Sequence, residues 1–270
     1  MTTTAVILAR GLGTRMRAAA GAVEGDSEQA RVADTGVKAL IPVGRPFLDY
    51  VLSALATAGI DDVILVIGPE HGVLRQRYGH DVPPERLRVR FAIQAEPRGT
   101  ADAVLAAEVA TRGRPFLVIN SDNYYPVEAL RLAIDLDPPG LVAFDRDVLV
   151  RDGHIEPSRA MRYAMVQANA AGYLDAIVEK PSPEEAARFG SRPLVSMTLW
   201  AFDARIFEAC RRVAPSVRGE LELPDAVVLA MREAGIGFRV ARCARPVLDL
   251  SSRVDIAPVA ERLRDLEVRW

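Results

Sequence analysis

Gly11-Leu12-Gly13-Thr14-Arg15 follows the apolar run TAVILA after a single arginine, Arg10. A glycine-rich, basic turn after a buried strand is a place where backbone N–H groups and a guanidinium can meet phosphate. It is not a dinucleotide fingerprint, because the third glycine is missing and Arg15 stands where the helix should pack closely. It is not a P-loop either, because no Gly-Lys-Ser/Thr follows. On these residues alone a plain structural turn stays open. Lys38 precedes the apolar segment ALIPV, which Gly44-Arg45-Pro46 breaks. QAEPRGTADAV closes a strand-like run with Gln94 and turns through Pro97 and Gly99 towards a helix. A Gln side chain offers both donor and acceptor and can read a base edge. VINSDN places Asp122 at the carboxyl end of an apolar run. A carboxylate there is costly unless it meets a metal or a cap. IVEKP ends another run with Glu179 and Lys180, and VLDLSS ends a late one with Asp249. Plainer roles compete for some of these. Pro97 and Gly99 serve as turn chemistry, Glu220 and Glu222 in RGELE as structural or helix-capping residues, Met197 and Trp200 as core or pocket wall, and Arg17 as a solvated charge.

The elements that must position these residues alternate. TAVILA, DVILVIG, LRVRFAIQ and PFLVIN read as strands. The continuous apolar runs among them are those of strands buried on both faces. FLDYVLSALATAG has helical spacing and ends on Gly59, a C-cap signal. A short helical stretch follows near His71 to Tyr78, and TADAVLAAEVA is helical with Thr100 as its N-cap. Alternation of this kind predicts parallel βαβ units in a doubly wound, mixed, mainly parallel α/β sheet. Ligands then bind beyond the carboxyl ends of the strands. The second half predicts a hairpin of RYAMVQAN and GYLDAIVEK around AAG, a strand LVSMTLWAFD, and a helix ELPDAVVLAMREAG. Short strands FRVAR and PVLDL and a closing helix VDIAPVAERLRDL complete it. Residues 18–36, AAAGAVEGDSEQARVADTG, are weakly patterned and predict a loop or flap beside the glycine turn, with a disordered segment as the alternative.

Composition bounds the function class. The chain has 270 residues, 50% hydrophobic and 26% charged, as in an ordinary globular protein with a sizeable core. A formal net charge of −2 weighs against a general nucleic-acid binder, so an anionic ligand must be held by local arginines and lysines. The two cysteines, Cys210 and Cys243, have no metal spacing and read as buried or free thiols. No stretch approaches the ~20 apolar residues of a membrane span, and no secretory signal pattern is visible. A cytoplasmic protein without a membrane partner is expected.

Taken in order, LARGLGTRM, KALIPVGRP, PRGTADA, SDN, EKP, RGELE and VLD resemble the motifs of the sugar-1-phosphate nucleotidylyltransferases, of the glucose-1-phosphate thymidylyltransferase type. The resemblance runs from Ala5 to about Leu266. It implies attack of a sugar 1-phosphate on the α-phosphate of a nucleoside triphosphate, giving a nucleotide sugar and pyrophosphate, with Mg²⁺. It implies one nucleotidyltransferase domain over 1–270, with a nucleotide-binding half of about 1–125 and a sugar-phosphate-binding half of about 126–270. Arg15 would neutralise the leaving pyrophosphate, Lys38 would sit by the α-phosphate, and Lys180 would hold the sugar phosphate. Leu8, Arg10, Gly11, Gly13, Thr14, Gln94, Pro97, Gly99 and Thr100 would bind the nucleotide, with Gln94 and Gly99 at the base. Asn120, Tyr163, Ala164, Glu179 and Thr198 would join Lys180 on the sugar side, and Asp122 and Asp249 would hold the Mg²⁺. His71, His80 and His154 lie outside these motifs, which suits a reaction that requires no histidine.

The chain departs from the family pattern around specificity. Arg10 replaces a small residue near the base, Ser121 a glycine before the metal aspartate, and Ala164 a glycine beside the sugar. Thr198 also stands where the family usually has glycine. The added bulk suggests a different or smaller acceptor than glucose 1-phosphate; whether a sugar-like cyclitol phosphate replaces the sugar stays open. RGELE leans towards dTTP or UTP, and Arg10 weakens that lean. The length of the 18–36 segment suggests a lid. No hexapeptide repeat is present, so a C-terminal left-handed β-helix is not expected. The family is often oligomeric, and a homo-oligomer stays open. A nucleotide-sugar glycosyltransferase is an alternative, though it would prefer a paired Asp-x-Asp to Ser121-Asp122-Asn123. A catalytically inactive nucleotide or sugar-phosphate sensor is another.

Overall fold

The computed structural model describes residues 2–11, 13–17, 27–82, 84–137 and 139–270. Its strands are β1 (Thr4–Leu8), β2 (Asp62–Ile67), β3 (Arg88–Ile93), β4 (Phe116–Asn120), β5 (Asn123–Tyr124), β6 (Gly140–Asp145), β7 (Ala164–Ala168), β8 (Leu174–Val178), β9 (Leu194–Phe202), β10 (Arg239–Cys243) and β11 (Leu248–Asp249). A nine-stranded sheet runs in the order β10-β6-β9-β4-β1-β2-β3, with β7 paired to β9 and β8 to β7. β1 lies parallel between β2 and β4, and β3 extends the parallel set beyond β2. β9 runs against both β4 and β6, and β10 lies parallel to β6. The sheet is therefore mixed and mainly parallel, as the alternation of apolar runs predicts.

Successive side chains of the central strands point to opposite faces. Ala5, Ile7, Val63, Leu65, Leu117 and Ile119 join one core, while Val6, Leu8, Ile64, Val66, Phe116 and Val118 join the other. Both faces are covered by helices, the doubly wound arrangement. The Phe47–Ala58 helix ends on Gly59 at φ 110, whose N–H bonds Leu55 O and Ala56 O. β7 and β8 pair antiparallel as the predicted hairpin, and β10 and β11 take the predicted places.

Three readings change. Residues 18–26 of the predicted flap lie outside the described residues, as does Leu12, but Ser27–Thr35 is a helix, not a loop. Docking decides it: Ala33 is fully buried and Gln29 Nε2 donates to Pro42 O at 2.8 Å. Thr100 is the first residue of its helix and not the N-cap, which is Gly99. Its hydroxyl instead accepts the Leu223 N–H at 2.9 Å. The buried strand β6, which the sequence reading passes over, fills the place between β10 and β9.

Candidate active site

The carboxyl ends of β1, β4 and β8 and the middle of β9 enclose a cavity of about 630 Å³. Leu8, Arg10, Gly11, Gly13, Thr14, Arg15 and Lys38 form one wall, and Pro97, Gly99 and Thr100 another. Asn120, Asp122, Tyr163, Ala164, Glu179, Lys180, Thr198 and Asp249 line the remainder. Of the residues expected to bind substrate or metal, Gln94 alone stands off this lining. It is buried, and its amide donates to Gly99 O at 3.1 Å and to Asp102 Oδ2 at 2.8 Å. Its amide hydrogens here serve the Gly99 turn and the Asp102 carboxylate.

The two aspartates meet because β11 pairs antiparallel with β5, placing Asp249 opposite Asn123. Leu250 N–H also donates to Asp122 O at 2.8 Å, which locks the two loops together. Lys38 Nζ lies 2.7 Å from Asp122 Oδ2. Asp249 is buried and accepts from Asn123 Nδ2 at 3.1 Å, Tyr163 OH at 2.9 Å and both oxygens from Ser251 Oγ at 2.9 and 2.8 Å. Arg159 Nη1 lies 3.2 Å from Asp249 Oδ2 and 2.9 Å from Asp255 Oδ1. Burial pushes the Asp249 carboxyl up and Asp122 adds to it, against Ser251, Arg159 and Tyr163. Two facing carboxylates are a chemical setting for a hard cation, and Mg²⁺ typically takes one or two of them beside substrate phosphates. Among the described residues nothing bonds Asp122 Oδ1, and no three acid, His or Cys side chains converge. The donor set therefore fits Mg²⁺ shared with a phosphate ligand.

The glycines of the first turn have different reasons. Gly13 has φ +60, and a Cβ there would stand 2.2 Å from Gly36 O, so only glycine allows the two segments to touch. Gly11 has open space where a Cβ would be, which leaves its backbone accessible from the cavity. Arg15 is exposed beside it on the Thr14–Arg17 helix. Arg10 reaches Glu70 at 3.3 and 3.4 Å.

At the opposite end Gly99, at φ +128, packs on the backbone of Leu221 in RGELE. Leu221 N–H donates to Arg98 O at 2.8 Å and Ala101 N–H to Leu221 O at 2.9 Å. Glu222 stands at the N-cap position of the Leu223–Ala234 helix but makes no side-chain cap. It is hydrogen-bonded to Arg218 instead and lines the cavity with Glu220. Glu179 lies among these acids. Burial pushes its carboxyl up to about 7, with Glu222 adding to it, Arg218 opposing, and Asp225 and Glu220 adding less. Met197 and Trp200 are buried wall residues. Sequence reading misses Arg159, Arg162, Ser251 and Arg218. The three-residue spacing of Arg159 and Arg162 just before Tyr163 is the signal that was there for two of them.

A family model described as nucleotidyl transferase matches residues 31–237. A glucose-1-phosphate thymidylyltransferase of Actinoplanes sp. is 26% identical over 269 residues, covering 97% of this chain and 78% of its own. A UTP–glucose-1-phosphate uridylyltransferase of Haloferax volcanii is 26% identical over 229 residues, 84% of this chain and 83% of its own. Among solved structures, a UDP-glucose pyrophosphorylase in complex with UDP-glucose superposes with a TM-score of 0.74 over 98% of this chain and 99% of its own, at 16% identity. That likeness is one of fold.

Proposed function

This chain belongs to the nucleotidyl transferase family, and on that premise we propose that it joins a nucleoside triphosphate to a sugar 1-phosphate or sugar-like cyclitol phosphate. The products are a nucleotide sugar or its cyclitol counterpart, and pyrophosphate. The observation that carries this reading is a convergence: Arg15, Lys38 and Lys180 share one cavity with the Asp122–Asp249 pair. Cations at both ends of a paired carboxylate site suit two anionic substrates brought together. The names of the relatives, a glucose-1-phosphate thymidylyltransferase and a UTP–glucose-1-phosphate uridylyltransferase, support the substrate class.

In this reading an oxygen of the acceptor phosphate attacks the α-phosphorus in line. One P–O bond forms, the bond to the β-phosphate oxygen breaks, and pyrophosphate leaves with the electron pair. A phosphate is already ionised near neutral pH, so no side chain has to remove a proton. The protein's part is positioning and charge. Gly11 leaves the backbone open to the triphosphate, and Arg15 offsets charge on the departing pyrophosphate. Lys38 meets the α-phosphate where charge builds in the transition state. Lys180 holds the acceptor phosphate and Glu179 its hydroxyls. Asp122 and Asp249 would hold Mg²⁺, which supplies charge neutralisation to the phosphates when bound. Gly99, Pro97, Thr100 and Leu8 form the nucleotide wall of the half spanning about 1–125. Tyr163, Ala164, Asn120 and Thr198 form acceptor walls, mostly from the half spanning about 126–270. We place this activity in the cytoplasm. Among the described residues no helix is long and apolar enough to cross a membrane.

Pyrophosphate release with Mg²⁺ over a grid of nucleoside triphosphates and sugar or cyclitol 1-phosphates tests the proposal. Release confined to few combinations is the expected result. Nucleotide binding with no turnover across the grid would replace it with an inactive sensor. Glycosyl transfer from a nucleotide sugar, without pyrophosphate, would replace it with a glycosyltransferase.

A further inference from the structure

Among the described residues, Arg112, His154, Lys180 and Thr198 hold positive φ without being glycine. Thr198, at φ +59, is the β-branched one. Branching at Cβ makes this backbone a genuine outlier for threonine. Such a conformation persists only where its surroundings over-determine it.

Here they do. The peptide group joining Met197 to Thr198 is clamped on both sides. Its carbonyl, Met197 O, accepts from the buried Tyr125 OH at 2.6 Å, and its N–H donates to Ser196 Oγ at 3.2 Å. The register opens at the same place. Ala143 faces Ser196 and Leu141 faces Trp200, so Met197, Thr198 and Leu199 of β9 stand opposite Val142 alone. A bulge of this kind re-aims a side chain beside a site. Thr198 is the partly exposed residue between buried neighbours, and it lines the same cavity as Ala164 and Tyr163. Among the described residues nothing bonds its hydroxyl, whereas Ser196 Oγ and Tyr125 OH are both engaged. Glycine would adopt the same backbone without the penalty.

A strained side chain, clamped into a ligand cavity with a free hydroxyl, has its use in that cavity. We propose that Thr198 is a specificity-determining residue for the acceptor, a proposal that rests on the transfer reading of the cavity. Its methyl narrows the acceptor end beside Ala164, and its hydroxyl is offered to the acceptor ring. The acceptor class that fits is a polyhydroxylated ring phosphate presenting a hydroxyl, and not a larger substituent, towards Thr198.

The test compares wild type with Thr198→Gly, Thr198→Val and Thr198→Ser in thermal unfolding without ligand and in kcat/KM over the acceptor panel. Thr198→Gly is expected to raise the midpoint by about 2–4 °C, because the strain is relieved. It is also expected to lower kcat/KM for the best acceptor at least tenfold and raise it for acceptors with a bulkier group on the facing ring position. Thr198→Val keeps the shape and lacks the hydroxyl, so it loses the best acceptor with the triphosphate KM unchanged. Thr198→Ser retains most of that activity. An unchanged acceptor ranking in Thr198→Gly, with wild type active, overturns this proposal alone. A lowered midpoint in Thr198→Gly overturns the strain argument on which it stands. Wild-type silence over the whole panel overturns the transfer reading and this proposal with it.

Discussion

Replacing Gly99 with alanine tests whether the PRGT turn and the RGELE segment are one unit. Gly99 has φ 128 and ψ 180, a region essentially reserved for glycine. Forcing alanine into it costs about 1–3 kcal/mol. The new Cβ would stand 2.5 Å from Leu221 O, 2.6 Å from its N and 2.9 Å from its C. These are backbone atoms, and Leu221 is held by its bonds to Arg98 and Ala101, so the contact cannot be relieved by a rotamer change. Overpacking of this kind adds about 1–3 kcal/mol. The expected loss is therefore about 2–6 kcal/mol. Gly113→Ala is the control, because Gly113 has φ +69 with nothing within 4 Å of a Cβ. It pays only the left-handed penalty of about 1–2 kcal/mol. Urea unfolding of both variants measures the difference by linear extrapolation. If Gly99→Ala costs no more than Gly113→Ala, the close approach of the two motifs does not constrain this chain. The triphosphate KM should rise in Gly99→Ala alone.

Lys38→Met removes the ammonium 2.7 Å from Asp122 Oδ2, and kcat should fall about 100- to 1000-fold with the fold intact by circular dichroism; activity within tenfold of wild type would exclude the role given to Lys38. Asp62 is buried among Arg90 at 2.5 Å, Arg114 at 2.8 Å and Arg88 at 3.9 Å. Burial raises its carboxyl, but these arginines outweigh it and hold it below 3.8. Its stabilisation is then complete above about pH 4 and lost as pH falls through the lowered value. Asp62→Asn should cost about 3 kcal/mol at pH 7 in chemical denaturation, at the low end for a broken pair because Arg88 and Arg114 reach water, and the gap to wild type should close below pH 4. Glu179 is the opposite case: with its carboxyl raised to about 7, its contribution is full below 4.5 and drains as pH rises through 7. The wild-type melting temperature should therefore carry a downward component from pH 5 to 8 that Glu179→Gln lacks.

The parts of this fold legible in the sequence are those written locally. DVILVIG and PFLVIN are continuous apolar runs because both sheet faces are covered, and Gly59 marks its helix end because only a left-handed residue closes it there. Asp122, Glu179 and Asp249 are announced at the ends of apolar runs and Lys38 just before one, and all four reach one cavity. What escaped is decided at a distance. Gln94 looks free to read a base until Gly99 and Asp102 take its amide hydrogens. Arg159 looks like any surface arginine until β11 brings Asp249 to it. The Ser27–Thr35 helix is polar overall and docks through Ala33, so no apolar run announces it.

The short β5–β11 ribbon also sets a clock. Asn123 and Asp249 are 126 residues apart in the chain yet hydrogen-bonded. At about 5–20 residues per second on the ribosome, roughly 6–25 s pass between the synthesis of one acid loop and the arrival of its partner. During that interval the nascent chain owns the glycine turn, Lys38 and Asp122, but not Asp249. On the proposed reading, a triphosphate met early would find a half-built cradle, because the second carboxylate arrives only once β11 is made. The paired-carboxylate arrangement is thus deferred until the β11 segment has been made.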